Sequence, residues 1–255
     1  MAISVLGPLE VDGGDPLEPR DRIALAVLAV HIGEVVSPGS FAGAIWGDDP
    51  PSSWPKQVQI CVGRLRKVLG AIAIQTVPGG YRLAMSEESI DSCRFERLLE
   101  RARMLAASGE ADRAAATYAR ALALWRGPPL TELDSWPPAR IETARLEELR
   151  RTAEEDLLQA RLAAGEHREV AAEAEALVTA DPLRERRWAI LALSQYRGGR
   201  QGDALRSLRI RELVMTSPVR DGVHCATPGA FEGDRRRSIE ALDRAIALRT
   251  GLERI

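Results

Sequence analysis

From Pro50 to Ser86 the chain holds no aspartate or glutamate, yet Lys56, Arg64, Arg66, Lys67 and Arg82 all fall inside that window. Lys56 and Lys67 are the only lysines of the protein, whose other cationic residues are arginines. Ammonium and guanidinium groups gathered without carboxylates attract phosphate, and a formal net charge of -2 makes any such attraction local. The spacing gives these groups a direction. Val58, Val62, Leu65 and Leu69 recur at i, i+4, i+7 and i+11, the signature of a helix with one apolar stripe. Lys56, Ile60, Gly63 and Lys67 lie roughly opposite, with Gln57 and Arg64 flanking one side and Gln59 and Arg66 the other. A helix that buries one side and turns amides and cations outward suits the major groove of DNA, whose base edges offer hydrogen-bond donors and acceptors. On periodicity alone the same pattern fits a solvated surface helix. The β-prone run that follows, ending Pro78-Gly-Gly-Tyr-Arg-Leu83, reads as a hairpin beside that helix.

Other chemistries find no residues to carry them. His31, His167 and His224 stand in unrelated segments, and His224-Cys225 has no further ligands near it. Cys61, Cys93 and Cys225 lack metal-like spacing, and Cys61, near the buried edge of its helix, reads as a small core residue. There is no Gly-x-x-x-x-Gly-Lys-Ser/Thr loop to cradle nucleotide phosphates. Glu147-Glu148 and Glu154-Glu155 fall on a charged helical face and are expected to be solvated. No enzymatic activity, metal or cofactor is therefore expected. No apolar run approaches the length of a membrane span, so no membrane partner is expected. An odd number of cysteines without a signal peptide points to a reduced, cytoplasmic protein.

Such a helix needs a scaffold, and the residues before it supply one. Ile3-Ser-Val-Leu6 and Leu9-Glu-Val11 are short β-prone runs, split by Gly7-Pro8 and closed by Asp12-Gly-Gly14, with Asp15 to Pro19 as a further extended piece. An amphipathic helix is expected from Arg20 to His31. Ser37-Pro38 opens the next, since serine caps and proline is pre-set for a first turn. It runs through Phe41, Ile45 and the core residue Trp46 and stops at Gly47-Asp-Asp-Pro-Pro51. Sheet, helix, helix, proline-rich loop, basic helix and hairpin is the order of a winged helix-turn-helix, here over residues 1–86.

Beyond Ile90 the texture becomes continuously helical, so the fold class is mostly α with a small β part. Helices are expected over Ser92–Ala107, Glu110–Trp125 and Ala139–Ala164, the last with Ile141, Leu146, Leu149, Leu157 and Leu158 inside. The turn at Ala164-Gly-Glu166 recurs at Gly198-Gly-Arg200, a spacing of 34, which is the period of the tetratricopeptide repeat. With a third turn at Ser108-Gly-Glu110, residues 90–213 read as a stack of antiparallel helix pairs. Residues 214–255 form a divergent tail, a loop by composition with a terminal helix from Arg235 to Arg249.

Ala44-Ile-Trp-Gly-Asp-Asp-Pro-Pro51, Val58-Gln-Ile-Cys-Val-Gly-Arg-Leu-Arg66 and Pro78-Gly-Gly-Tyr-Arg82 resemble the OmpR/PhoB-type DNA-binding domain, in its actinomycete antibiotic-regulatory-protein (SARP) branch. Ala121-Leu-Ala-Leu-Trp-Arg-Gly-Pro-Pro-Leu130, Ala144-Arg-Leu-Glu-Glu-Leu-Arg150, Pro182-Leu-Arg-Glu-Arg186 and Tyr196-Arg-Gly-Gly-Arg-Gln-Gly-Asp-Ala-Leu205 resemble the bacterial transcriptional activation domain of the same family. The resemblance runs from about Ile3 to Leu213. It implies DNA contacts at Lys56, at Arg64 and Arg66, and at Thr76 and Tyr81 of the wing. Gln57, Gln59, Ile60, Gly63, Lys67 and Arg82 complete that candidate surface. Tyr81 has a second reading, packing the wing onto the third helix. For the Gly47, Asp48, Asp49 loop two readings stand: a plain solvated loop, or, as the resemblance implies, a contact with RNA polymerase holoenzyme. Double-stranded promoter DNA would be bound at direct repeats, and the helical half would make a homodimer. Three departures from the family pattern stand out: Gly63, where relatives carry a larger polar or basic side chain, Cys61, often His, and the unusual Trp54-Pro55 start.

The reading that follows is a sequence-specific activator, by resemblance of a secondary-metabolite gene cluster. Its rival is a helical-repeat adaptor with weak DNA binding. Met1 to Met85 is expected to bind DNA alone, and Arg64→Ala to cost about 1–3 kcal/mol of binding at one base position.

Overall fold

The computed structural model describes residues 2–14 and 16–216, and these fold mostly into helices with two small hairpins. The terminal helix expected at Arg235–Arg249 lies outside the described residues. Strands β1 (Ile3–Ser4) and β2 (Glu10–Val11) pair antiparallel, Ile3 opposite Val11. They are shorter than expected because Val5 and Leu6 give their N–H groups to a carboxylate instead of a strand. Pro16 to Glu18 forms no strand.

Helix α1 (Pro19–Val30) opens on a proline, whose missing N–H falls where a helix has no use for one. It was expected to be amphipathic, but Ala24 through Ala29 are all buried, which makes it the hub of the core. Helix α2 (Pro38–Trp46) is capped as its sequence suggests, Ser37 Oγ accepting the Ser40 N–H at 3.1 Å. Helix α3 (Trp54–Leu69) buries Val58, Cys61, Val62 and Leu65. The wing is the antiparallel hairpin of β3 (Ile74–Val77) and β4 (Gly80–Leu83), with Thr76 opposite Tyr81. Val36, between α1 and α2, exchanges backbone hydrogen bonds with Tyr81 at 2.8 and 2.9 Å and so fastens the wing. Gly80 allows that approach, since a Cβ there would lie 2.0 Å from the Val36 carbonyl oxygen.

The helical part contains α4 (Asp91–Ala107), α5 (Ala111–Leu122), α6 (Pro137–Ala163), α7 (His167–Ala180), α8 (Glu185–Arg197) and α9 (Gln201–Thr216). Its three turns close alike. Gly109, Gly165 and Gly199 sit at φ 80°, 98° and 81°. The residue after each sends its N–H five residues back: Glu110 to Leu105, Glu166 to Arg161 and Arg200 to Gln195, at 3.0, 3.0 and 2.8 Å. This is the Schellman closure, which satisfies carbonyls that a helix end otherwise leaves open. The expectation that Ile141 is internal is corrected: it is 78% exposed. The buried stripe of α6 runs through Ala139, Leu146, Ala153 and Ala160, every seventh residue, and Ile141 sits about 200° around from Ala139. Glu155, expected to be solvated, is buried.

By packing the chain falls into two compact units, residues 1–160 and 161–255, so the segment after residue 90 is packed with the winged helix as far as Ala160. The N-terminal strands are built into the residues that follow the wing. Asp91 Oδ1 accepts the Val5 N–H at 2.7 Å and Oδ2 the Leu6 N–H at 3.1 Å, while Ile3 bridges Ile90. Burial pushes the Asp91 carboxyl pKa upward, against those two hydrogen bonds. The Arg126 N–H donates to Leu6 O at 2.7 Å and the Leu130 N–H to Val5 O at 3.1 Å. Glu132 takes the Leu9 N–H at 2.8 Å and the Arg22 guanidinium at 2.6 Å. One core holds Ile3, Leu6, Leu25 and Leu65 together with Phe95, Leu99, Leu130 and Leu133. A segment ending at Met85 lacks these partners of its own first strand.

Candidate nucleic-acid interface

Lys56, Gln59 and Lys67 stand exposed on α3, and none of their side chains makes a hydrogen bond or ion pair among the described residues. Ile60, between them, is 48% exposed. At Gly63 a Cβ would meet nothing within 4 Å. Positions 56, 59, 60, 63 and 67 follow i, i+3, i+4, i+7 and i+11, so they form one face opposite the buried stripe. The lysines at its ends are about 16 Å apart along the axis at 1.5 Å per residue. That span is somewhat longer than the roughly 12 Å width of a DNA major groove.

The remaining candidates are brought close to this face but are tied to the protein. Arg64 was expected to reach a base. In the structure its Nε donates to Asp21 Oδ2 at 2.6 Å and its Nη2 to Oδ1 at 2.8 Å, a two-pronged pair with a buried carboxylate of α1. That hydrogen bonding raises the Arg64 pKa further above its ordinary value, so the guanidinium stays charged. Arg66 ties helix to wing, its Nε donating to Ile74 O at 2.9 Å and its Nη2 to Thr76 Oγ1 at 2.8 Å. Arg82 donates to Gln75 across the hairpin at 2.8 Å. Gln57 accepts from Arg20 at 3.0 Å and donates to Ser53 at 2.9 Å, and the Arg20 guanidinium lies 5.5 Å from the centre of the Trp46 ring. Tyr81 packs edge-on against Phe41 of α2 with ring centres 5.9 Å apart. Cys61 is buried, and burial with the neighbouring Asp21 carboxylate pushes its thiol up to about 11. A thiol so far from its thiolate is inert at neutral pH.

Asp21 and Arg20 escaped the sequence reading. Both lie outside the acid-free window, and an acid in the first turn of a helix is ordinarily a dipole-compensating surface residue. The pair gives Arg64→Ala a different expected outcome. It should destabilise the unliganded protein by about 1–3 kcal/mol, because a buried carboxylate loses its charged partner. Urea melts without DNA check this, and Asp21→Asn combined with Arg64→Ala should cost less than the sum of the two single changes.

The Gly47–Asp49 loop leaves α2 through Gly47 at φ 64°, and Asp48 and Asp49 are exposed, with no ion pair among the described residues. Among the described residues no group of His, Cys, Asp and Glu is disposed to hold a metal, and no helix is long and apolar enough to cross a membrane.

The two halves match different family models. Residues 16–83 match "Transcriptional regulatory protein, C terminal" and residues 90–216 match "Bacterial transcriptional activator domain". Over 264 aligned residues the chain is 33% identical to the transcriptional regulator RedD of Streptomyces coelicolor, covering 99% of this chain and 74% of RedD. The chain belongs to the SARP family of transcriptional regulators. A second SARP relative, the regulatory protein DnrI of Streptomyces peucetius, is 30% identical over 84% of this chain and 85% of its own length. A solved structure of Mycobacterium tuberculosis EmbR, in complex with a low-affinity phosphopeptide, superposes with a TM-score of 0.80 at 29% identity. The alignment covers 98% of this chain but only 65% of EmbR. The fold is thus the SARP arrangement, an OmpR/PhoB-type winged helix followed by a helical, tetratricopeptide-like activator domain. These relatives are regulators of transcription.

Proposed function

We propose that this SARP protein binds double-stranded promoter DNA by laying the free face of α3 in the major groove, with the β3–β4 wing against the adjoining backbone. One observation carries the reading: both lysines of the chain sit unpaired at the two ends of a single exposed helix face, in a stretch without any acid. Arg66 and Thr76 support it by holding helix and wing together, and Arg64 positions α3 on α1 through Asp21. The unpaired acids Asp48 and Asp49 are proposed to meet RNA polymerase holoenzyme, which makes the protein an activator. SARP membership supports a secondary-metabolite gene cluster as its target, bound as a homodimer on direct repeats, in the cytoplasm.

The test is footprinting of the full chain on DNA upstream of its neighbouring genes, followed by titration of the protected duplex across salt concentrations. Binding should weaken steeply as salt rises, and Lys56→Ala and Lys67→Ala should each reduce the log–log salt slope by about one. Absence of a footprint, or binding indifferent to salt and to both lysines, removes the DNA-binding reading.

A further inference from the structure

On the free face of α3 the groups placed to meet base edges are one amide and one hydrocarbon. Lys56 and Lys67 occupy its two ends. The arginines that would grip the O6 and N7 of guanine with two donors are turned elsewhere. Arg64 spends Nε and Nη2 on Asp21, and Arg66 spends the same two nitrogens on Ile74 O and Thr76. Between the lysines remain Gln59, exposed and without a partner among the described residues, and Ile60, 48% exposed. Gly63, one turn on, presents no side chain, so nothing beside Ile60 keeps the groove floor away from the helix.

An exposed isoleucine in the middle of a polar face has a specific complement in DNA. The major groove displays a single apolar group, the C5-methyl of thymine, and the side-chain amide of glutamine pairs in two-pronged fashion with adenine N6 and N7. Isoleucine is also stiff in a helix, its χ1 held to one rotamer, so its methyl groups keep their direction without a loss of freedom on binding. Gln59 and Ile60 diverge by about 100° around the axis, which sends them to neighbouring base pairs.

Resting on the DNA-binding reading above, we propose that Ile60 reads a thymine methyl and Gln59 an adjacent adenine, so that α3 selects an A·T step between two phosphate-bound lysines. The site is specific through a methyl group and an amide where the arginines are hydrogen-bonded to the protein itself.

The test begins with selection of the full chain against a duplex pool carrying a randomised stretch. The tightest duplex is then resynthesised with deoxyuridine in place of each thymine in turn, which removes one methyl and preserves pairing. At one thymine the replacement should weaken binding about four-fold, the worth of one buried methyl-sized group. Ile60→Ala should lose about the same on the thymine duplex and become indifferent to the replacement, with its melting temperature unchanged. Gln59→Ala should relax the adenine preference at the next pair while leaving the uracil effect in place. Equal binding to every uracil duplex, an Ile60→Ala protein that keeps the uracil effect, or one that melts lower because Ile60 packs, would each overturn the proposal while DNA binding itself stands. A pool from which the chain selects no duplex overturns the DNA-binding reading and this one with it.

Discussion

A fragment ending at Met85 should show no cooperative melt, whereas one ending at Ala160 should unfold as a single unit. The shorter piece contains the recognition helix and the wing but not what they are built on. It loses Asp91, acceptor for the Val5 and Leu6 N–H groups, and Glu132, which holds both Leu9 and Arg22. It also loses Ile90, Phe95, Leu99, Leu130 and Leu133, all at most 2% exposed and all in the same core as Ile3, Leu6 and Leu25. Each fully buried side chain of that size contributes about 1.5–3 kcal/mol. Five together approach the roughly 5–15 kcal/mol that stabilises an ordinary domain. What remains of the first sheet is a pair of two-residue strands, far below what stands by itself in water. Circular dichroism melts of the two fragments decide the matter, and a sharp transition from the Met85 fragment would show the winged helix to be autonomous after all.

Gly80→Ala should unfasten the wing. The new methyl carbon would sit 2.0 Å from the Val36 carbonyl oxygen and 2.8 Å from its carbon, both backbone atoms that no rotamer change can move aside. Relief requires β4 to leave Val36, which breaks both hydrogen bonds between Val36 and Tyr81 and draws Tyr81 away from Phe41. Two net hydrogen bonds at about 0.5–1.5 kcal/mol each and an aromatic edge contact of about 0.5–1.5 kcal/mol sum to a loss of about 2–4 kcal/mol. The urea midpoint should fall accordingly, and the Val36 and Tyr81 amides should lose hydrogen-exchange protection before the helices do. If the wing touches DNA, affinity falls with it, since Arg66 and Thr76 lose their common frame. Unchanged protection at Val36 would mean that the connector yields and the wing stays in place.

Much of the fold was legible because its signals are local. The apolar period of α3, the Ser37-Pro38 start of α2 and the three glycine turns each depend on residues within a few positions of one another, and each appears in the structure near the place expected. The 34-residue spacing of two of those turns is the same kind of signal, repeated. The errors have a common cause too. Ile141 was placed inside from its hydrophobicity, but which stripe of α6 faces inward is decided by its partners, and they select Ala139 and Leu146. Glu155, placed on the solvated face, is buried for the same reason.

The surface proposed to face DNA divides along the same line. The sequence by itself determined that a basic helix without nearby acids, followed by a hairpin, sits in a SARP-type chain, because charge segregation, period and motif order can all be counted along the chain. Only the tertiary structure decided which of those polar groups are free. Asp21 lies 43 residues before Arg64 and outside the acid-free window, yet it is buried against α3 and claims two guanidinium nitrogens. Asp91 claims two backbone N–H groups more than eighty residues away and so ties the first strand to the start of the helical part. A buried carboxylate must find donors wherever the fold brings them, and that demand, invisible in linear order, leaves Lys56, Gln59, Ile60, Gly63 and Lys67 as the face that α3 presents outward.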